Sequence, residues 1–493
     1  MEHTQQMANA LKDIEKVIDQ GPYSPDWESL SRYPVPAWYR EAKFGIFIHW
    51  GVYSVPAYFS EWYCRLMYYH GNPVYWHHCR KYGKDFSYRE FIPMFRAEKF
   101  DAQQWVQMLK AAGARFIMPV AEHHDGFKMY DSALSDWTAV KMGPHRDILQ
   151  ELKTACEAED VIFSTSSHRA EHFWFMNGAR TVRFPNEITQ GKHPDFYGDC
   201  VNVHKHNNLY TLLRQEHGIE PTQAWLEDWL VSSCELIDRY RPASLFFDWW
   251  VSYKAFRPYM KRFLAYYYNR SVEWSKEVCV YYKSDAVMYN CAIFDRERGQ
   301  LPGISPYIWQ GETSTAYNAW SYCTTNRFKT PQTIICNLLD VISKNGCFVL
   351  NVGPKADGTF CEEEQHILRV LGEWTARNAE GIWGTQPYKV FGEGKKQKSG
   401  SFHEKNRYTG RDYRFTCKPG AVYAFALCPK GKKKFSIRSL ADSMDLFHCV
   451  IKRVSILGEE NQVQFSQDKH SLTLRLPERV ETDLPICFKL EVD

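Results

Sequence analysis

The sequence predicts an α/β protein: a (β/α)8-like TIM barrel with irregular helices, followed by a C-terminal all-β sandwich. Three observations carry that expectation. The chain has 493 residues, room for a barrel of about 250 residues or more and a further domain. From about residue 36, short β-branched or aromatic runs alternate with longer segments of helical periodicity, the signature of a parallel sheet covered by helices. After about residue 388 the helical segments stop and short alternating runs follow one another at regular spacing.

In chain order, residues 1–35 read as a helical extension, with an amphipathic helix at about Met7–Asp19 and a proline-rich entry through Pro22, Pro25, Pro34 and Pro36. Residues 36–388 are assigned to the barrel. Its first run is Phe44–His49. A helix around Ala102–Ala112, stopped by Gly113, leads to Phe116–Ala121, and a helix around Ile148–Ala158 leads to Val161–Ser166. The helix around Thr222–Tyr240 feeds Ser244–Asp248, and Tyr259–Lys276 feeds Val278–Lys283. Pro306–Trp309 is a short run. A helix at Pro331–Ser343 precedes Cys347–Asn351, and Glu362–Asn378 closes the region. Seven runs are visible, and the poorly patterned stretch Thr181–Thr211 leaves room for an eighth. An open doubly wound sheet is the alternative, but no GxGxxG follows the first strand, against its dinucleotide-binding form. Residues 389–493 read as the sandwich: turns from Gly392 to Gly400, then Asp412–Thr416, Ala421–Leu427, Phe435–Ser439, Val450–Leu457, Gln462–Ser466 and Leu472–Leu476.

Composition narrows the function. The net charge is +3, and the one basic run, Lys430 with Lys432 to Lys434, reads as a solvated turn, so no nucleic-acid partner is expected. No stretch approaches the ~18 apolar residues of a membrane span. The opening segment lacks an apolar signal region and the 15 cysteines contain no CxxC pair. Both point to a reducing, cytoplasmic setting, unless a leader was trimmed. Oligomeric state is left open, a homo-oligomer included. The 17 Trp, 30 Tyr and 30 Phe are compatible with a sugar site, since flat aromatic faces stack on pyranose rings.

A parallel barrel does its chemistry at the carboxyl ends of its strands. The runs end in His49; in Glu122, His123, His124 and Asp125; in Ser167, His168 and Arg169; in Asp248, with Trp249 and Trp250 after it; in Lys283 and Asp285; and in Asn351, while Gln310 and Glu312 follow the sixth. One such residue is an ordinary capping group. Their convergence on one mouth needs a polar ligand to satisfy them. Asp248 stands out, an acid at the tip of an apolar SLFF strand. Retaining glycoside hydrolysis needs a second carboxyl group about 5–5.5 Å from the first. Glu297 and Glu312 are the candidates and Asp295 a weaker one; for Glu297 the bland alternative is a surface ion pair with Arg296 or Arg298. Trp309, closing the sixth run, is the expected sugar-stacking aromatic. A metal held by His49, His124 and Asp248 is the rival reading. No ligand-spacing motif supports it, so neither metal nor cofactor is expected.

The segments WYREAKFGIFIHWGVYSVPAYFSEWY (38–63), HHDGFKMYDSALSDW (123–137), GPHRDIL (143–149), SLFFDWW (244–250), SKNGCFVLNVGPKADGT (343–359) and EGIWGTQPY (380–388) resemble, in order, the α-L-fucosidases of glycoside hydrolase family 29. RDYRFT (411–416) and VYAFAL (422–427) resemble the start of that family's sandwich. The resemblance implies an eight-fold barrel, retaining hydrolysis of terminal α-L-fucose from an oligosaccharide or glycoconjugate, and no metal. It implies that Asp248 is the nucleophile, that His49, His123 and His124 contact fucose hydroxyls, and that Glu61 and Trp62 stand at the pocket rim. It places Glu297 where the family's acid often falls, with Glu312 close behind. The chain departs from the pattern at His168 (commonly Tyr), Phe246 (commonly Trp) and Lys283 (commonly Arg). A related specificity such as α-L-galactosidase, or a fucose-binding protein without catalysis, are the alternatives.

Overall fold

A computed structural model of the chain describes residues 2–69, 72–175, 220–395, 397–404, 406–442, 447–459 and 463–493. The barrel strands are β1 (Phe44–Ile48), β2 (Phe116–Glu122), the split pair β3 (Ile162–Phe163) and β4 (Thr165–Ser167), β5 (Ser244–Phe247), β6 (Cys279–Tyr282), β7 (Ile293–Glu297), β8 (Trp309–Ser314) and β9 (Gly346–Val352). All pair in parallel. The ring closes at β1, where Gly45 lies opposite Phe116 of β2 and Phe44 opposite Phe348 of β9.

The covering helices include Ala102–Ala111, Ile148–Ala158, Gln223–Tyr240, Arg257–Glu273, Pro331–Ser343 and Glu362–Arg377. Several start on a side-chain cap: Asp101, Asp147, Thr222 and Thr330 accept the backbone N–H groups of Gln104, Gln150, Trp225 and Thr333. The N-terminal helix Glu2–Gln20 buries Ile14, Val17 and Ile18 against Arg257–Glu273 and Gln223–Tyr240.

The eighth strand is β7, between the fifth and sixth predicted runs, while Thr181–Thr211 falls outside the described residues. A strand reading IFDRE lacks the apolar texture that marks the others. Its burial alternates nonetheless: Ile293, Asp295 and Glu297 are buried, Phe294 and Arg296 half-buried. The sixth predicted run, Pro306–Trp309, is displaced. The strand is Trp309–Ser314, so Gln310 and Glu312 lie within it rather than after it.

Two apolar layers hold the barrel. Ile46, Leu245, Val280, Phe348 and Leu350 face the helices, whereas Phe47, Met118, Phe246, Tyr281, Ile293 and Val349 fill the interior. A Cβ on Gly45 would sit 2.3 Å from the Phe116 ring, so that ring enters the interior only because residue 45 has no side chain. Two residues beyond the last apolar inward position, the side chain becomes polar: Phe47 gives way to His49, Phe246 to Asp248, Tyr281 to Lys283, Ile293 to Asp295 and Val349 to Asn351. Period-two alternation thereby stacks a polar layer on a greasy plug.

The C-terminal strands are β10 (Gln386–Glu393), β11 (Tyr413–Lys418), β12 (Ala421–Ala426), β13 (Lys434–Ile437), β14 (Ile451–Ile456), β15 (Gln464–Gln467), β16 (Leu472–Arg475) and β17 (Ile486–Val492). They form two antiparallel sheets, in the orders β10-β11-β12-β17-β14 and β13-β16-β15, around Phe415, Val422, Phe435, Leu474 and Phe488. The first sheet already begins at Gln386, and β17, which the sequence reading omits, is a central strand pairing with both β12 and β14. Among the described residues no helix is long and apolar enough to cross a membrane, and fourteen cysteines are free.

Candidate active site

Strands β5 to β8 bring five ionisable groups together. Lys283, at the tip of β6, is buried, and its Nζ donates to Glu297 Oε2 at 2.6 Å and Glu312 Oε1 at 2.7 Å. It lies 3.2 Å from Asp248 Oδ1 and 3.7 Å from Asp295 Oδ2. Register explains the cluster: parallel pairing sets Asp295 beside Gln310 and Glu297 beside Glu312, all on the inward face. Burial alone would push the Lys283 ammonium down, but the surrounding carboxylates Glu297, Glu312, Asp248 and Asp295 hold it well above its usual range. Asp248 responds in the opposite sense. Burial raises it, yet Lys283, His124 and His168 outweigh burial and hold it well below the usual carboxylate range. Burial first, then the charge of Asp295, pushes Glu312 well up, while Asp295 is raised to about 6 mainly by burial. The group therefore holds an ionised Asp248 beside at least one protonated acid and titrates as a set.

Strands β1, β2 and β4 supply the opposite wall. His124 Nε2 and His168 Nδ1 each lie 3.3 Å from Asp248 Oδ2. His49 Nδ1 meets Asn351 Oδ1 at 2.6 Å. Asn351 Nδ2 donates to Ser314 Oγ and the Trp320 carbonyl, so its Oδ1 is the acceptor, His49 carries its proton on Nδ1 and Nε2 is left as an acceptor. Burial drives His49 and His123 well down and His124 to about 4, so these imidazoles are neutral. Donor atoms of His49, His123 and His168 lie within 4.8 Å of one another, as do those of His124, His168 and Asp248. Such sets suit either a divalent cation or the hydroxyls of a sugar.

Other strand-end residues turn out to be braces. Glu122 is buried between Lys128 at 3.0 Å and Arg169 at 2.7 Å. Asp125 accepts the Tyr88 hydroxyl at 2.7 Å and the Phe127 N–H at 3.1 Å; burial raises its carboxyl to about 7. Glu61 is buried, and its Oε2 accepts the N–H groups of Trp320 (3.0 Å) and Ser321 (3.2 Å), clamping the loop whose Trp320 ring packs on His49. Trp62 packs edge-on against His124, with ring centroids 5.7 Å apart.

Two expectations are corrected. Trp309 does not line the pocket. It is inner-strand residue Gln310's neighbour and so points outward, where its indole donates to the Lys344 carbonyl at 3.0 Å beneath the helix Pro331–Ser343. The bland reading of Glu297 also fails, since the carboxyl is buried on Lys283. Arg298 instead pairs with Glu404, and Arg296 reaches Ser401 Oγ at 3.4 Å.

Sequence reasoning passed over Glu171 and noted Trp249 only as the residue that follows Asp248. Glu171, on the helix Arg169–Phe175, is buried, and its Oε1 accepts the Trp250 N–H at 2.8 Å, bracing the turn after Asp248. Burial, then the negative charge of Asp248, pushes it well up. Trp249 donates its indole N–H to Glu297 Oε2 at 2.5 Å. A Glu three residues after His168 and a Trp directly after Asp248 carry no spacing signal that separates them from core residues.

Comparison with known proteins relates the whole chain to fucosidases. A family model described as alpha-L-fucosidase matches residues 10–380. The chain is 31% identical to the tissue alpha-L-fucosidase of Bos taurus over 404 residues, 77% of this chain and 76% of that protein. It is 28% identical to the Homo sapiens tissue alpha-L-fucosidase, covering 97% of this chain and 93% of that one. The crystal structure of the Thermotoga maritima alpha-fucosidase superposes with a TM-score of 0.75 at 25% identity, over 95% of this chain and 100% of that chain. A structure of the same protein in complex with fucose gives the same figures.

Proposed function

The chain belongs to the α-L-fucosidase family, and from that premise we propose that it removes terminal α-L-fucose from glycans by retaining double displacement, with Asp248 as nucleophile and Glu297 as acid/base. One observation carries the reading: an ionised carboxylate at the tip of β5 shares the Lys283 ammonium with a second carboxyl group. Two oxygens bonded to one nitrogen can be no further apart than the two contacts laid end to end, roughly 6 Å, close to the separation that retention requires.

Fucose enters against the neutral histidines, where His49 Nε2 accepts from a hydroxyl. Asp248, its charge supported by Lys283, His124 and His168, attacks the anomeric carbon. The C–O bond to the aglycone breaks and the leaving oxygen takes a proton from Glu297. Water then loses a proton to Glu297 and displaces Asp248, which restores both carboxyl groups. Four carboxyl groups around one ammonium retain at least one proton, so an acid is on hand. Glu297 is favoured over Glu312 and Asp295 because it lies at the outer edge of the set, its side chain 8% exposed against 2% and 0%. Lys283 serves as the cation, a point charge that several acids can share.

Asp248→Ala is expected to abolish turnover of an aryl α-L-fucoside while circular dichroism stays native; retained turnover refutes the nucleophile. Glu297→Ala is expected to be rescued by azide with an α-configured fucosyl azide as product. Rescue of Glu312→Ala instead reassigns the acid/base.

A further inference from the structure

Phe402 has no part in the mechanism above, yet the fold goes to some length to place it. Its side chain is 60% exposed, and its φ of +61° lies in the left-handed region that a residue with a Cβ adopts only under strain. Its ring lies nearly parallel to Trp249 and offset from it, with centroids 6.1 Å and planes 16° apart. Both residues are tied to Glu297. The Trp249 indole donates to the Glu297 carboxyl, and the Phe402 N–H donates to the Glu297 backbone carbonyl at 3.1 Å. The segment carrying Phe402 comes from beyond the barrel, after β10, and is pinned on both sides. Gly400 N–H donates to the Gln300 carbonyl at 2.9 Å, and a Cβ on Gly299 would meet the Gly400 carbonyl oxygen at 1.9 Å. Two residues further on, the buried Glu404 pairs with Arg298 at 3.0 Å and Lys329 at 2.8 Å.

We propose that Phe402 and Trp249 form the platform for the leaving group, and that the leaving group is a hexopyranose turning an apolar C–H face onto the two rings. The inference rests on Glu297 as acid/base. The oxygen that Glu297 protonates is bonded directly to the leaving sugar, so that sugar must lie beside Glu297, where these rings stand. Rigid aromatic faces bind a flat C–H surface with little loss of conformational freedom, and a pinned segment removes the cost of ordering the platform. The C-terminal segment thus selects the substrate that the barrel cleaves.

The test compares wild type, F402A and F402W on α-L-fucosyl fluoride, which leaves as a bare ion, and on fucosylated disaccharides of the α1,2, α1,3, α1,4 and α1,6 linkages. Hydrolysis of the fluoride by the wild type checks the fucosidase reading by itself. F402A is expected to lose about tenfold more kcat/KM on the best-cleaved disaccharide than on the fluoride, the size of one aromatic stacking contact, and F402W to recover most of that difference. Equal losses on both substrates, no loss on the disaccharide, or no recovery with tryptophan would overturn the platform.

Discussion

On one side of the barrel mouth stand His49, His123, His124 and His168, from β1, β2 and β4; on the other stand Asp248, Lys283, Asp295, Glu297 and Glu312, from β5 to β8. Both walls are buried, so burial penalises charge on each. On the first, no cation or anion stands close enough to offset it at His49 and His123, and the imidazoles stay neutral. On the second, Lys283 and Asp248 sustain each other's charge at 3.2 Å, while burial pushes Glu312 and Asp295 toward their protonated forms. The difference teaches that burial and countercharge are weighed against each other: one contacting carboxylate leaves the buried His124 neutral, whereas several around Lys283 keep its ammonium charged. Neutral imidazoles such as His49 and His123 can exchange hydrogen bonds with hydroxyl groups. A charged wall is poised for the charge that moves during glycosyl transfer.

The strongest way to break this contrast is to remove its hub. Lys283→Met leaves buried carboxylates without their cation, which costs on the order of 3–5 kcal/mol of stability, readable by denaturant titration. In the proposed mechanism Asp248 must be ionised to attack, and without Lys283 burial pushes its proton affinity up. The acid limb of kcat/KM against pH is therefore expected to move to higher pH, with kcat down by roughly a thousandfold. An unmoved acid limb would show that the histidines, not Lys283, set the charge of Asp248.

Within the charged wall, Glu297→Gln is expected to lower kcat on substrates with poor leaving groups by about 10²–10⁴-fold. Glu312→Gln keeps a carbonyl for Lys283 and replaces a group that burial already keeps protonated. Its loss is expected to stay below about tenfold, and comparable losses in both would erase the distinction drawn between edge and depth. On the neutral wall, Asn351→Ala frees His49 to carry its proton on either nitrogen. KM for an aryl fucoside is expected to rise about five- to tenfold, the worth of one hydrogen bond, with a smaller change in kcat. The smallest effect concerns pH. With His124 at about 4 and His49 and His123 well down, the imidazole proton resonances of these three residues are expected to stay flat from pH 8 to 5 and to shift only as pH approaches 4. Resonances that shift near pH 6.5 would mean that these imidazoles titrate normally.

The histidine wall was the easier of the two to read. His49, His123, His124 and His168 each close an apolar run, so the rule that barrel chemistry sits at strand ends finds them without coordinates. Asp248 and Lys283 follow the same rule. The acids of β7 and β8 are harder to find: Asp295 and Glu312 sit inside strands, and Glu297 closes a strand that the sequence does not reveal. There the inward face is the polar one, which removes the apolar texture that reveals a strand and conceals β7 altogether. Trp309 was misplaced for the same reason, its run ending where the strand begins. Glu122 carries the residue type of a binding site yet spends it on Lys128 and Arg169.

Primary structure alone dictates the alternation of strands and helices, the sandwich that follows, and the acid at the tip of SLFF, because these depend on periodicity and on where an apolar run stops. Three-dimensional packing decides the rest: that one lysine is shared by several acids drawn from separate strands, that an asparagine from the last barrel strand sets the proton on the histidine of the first, and that a phenylalanine from beyond the barrel is tied to Glu297. Charge, tautomer and reach depend on distances of 3 Å or so between residues far apart in the chain, and no local pattern of residues encodes a distance.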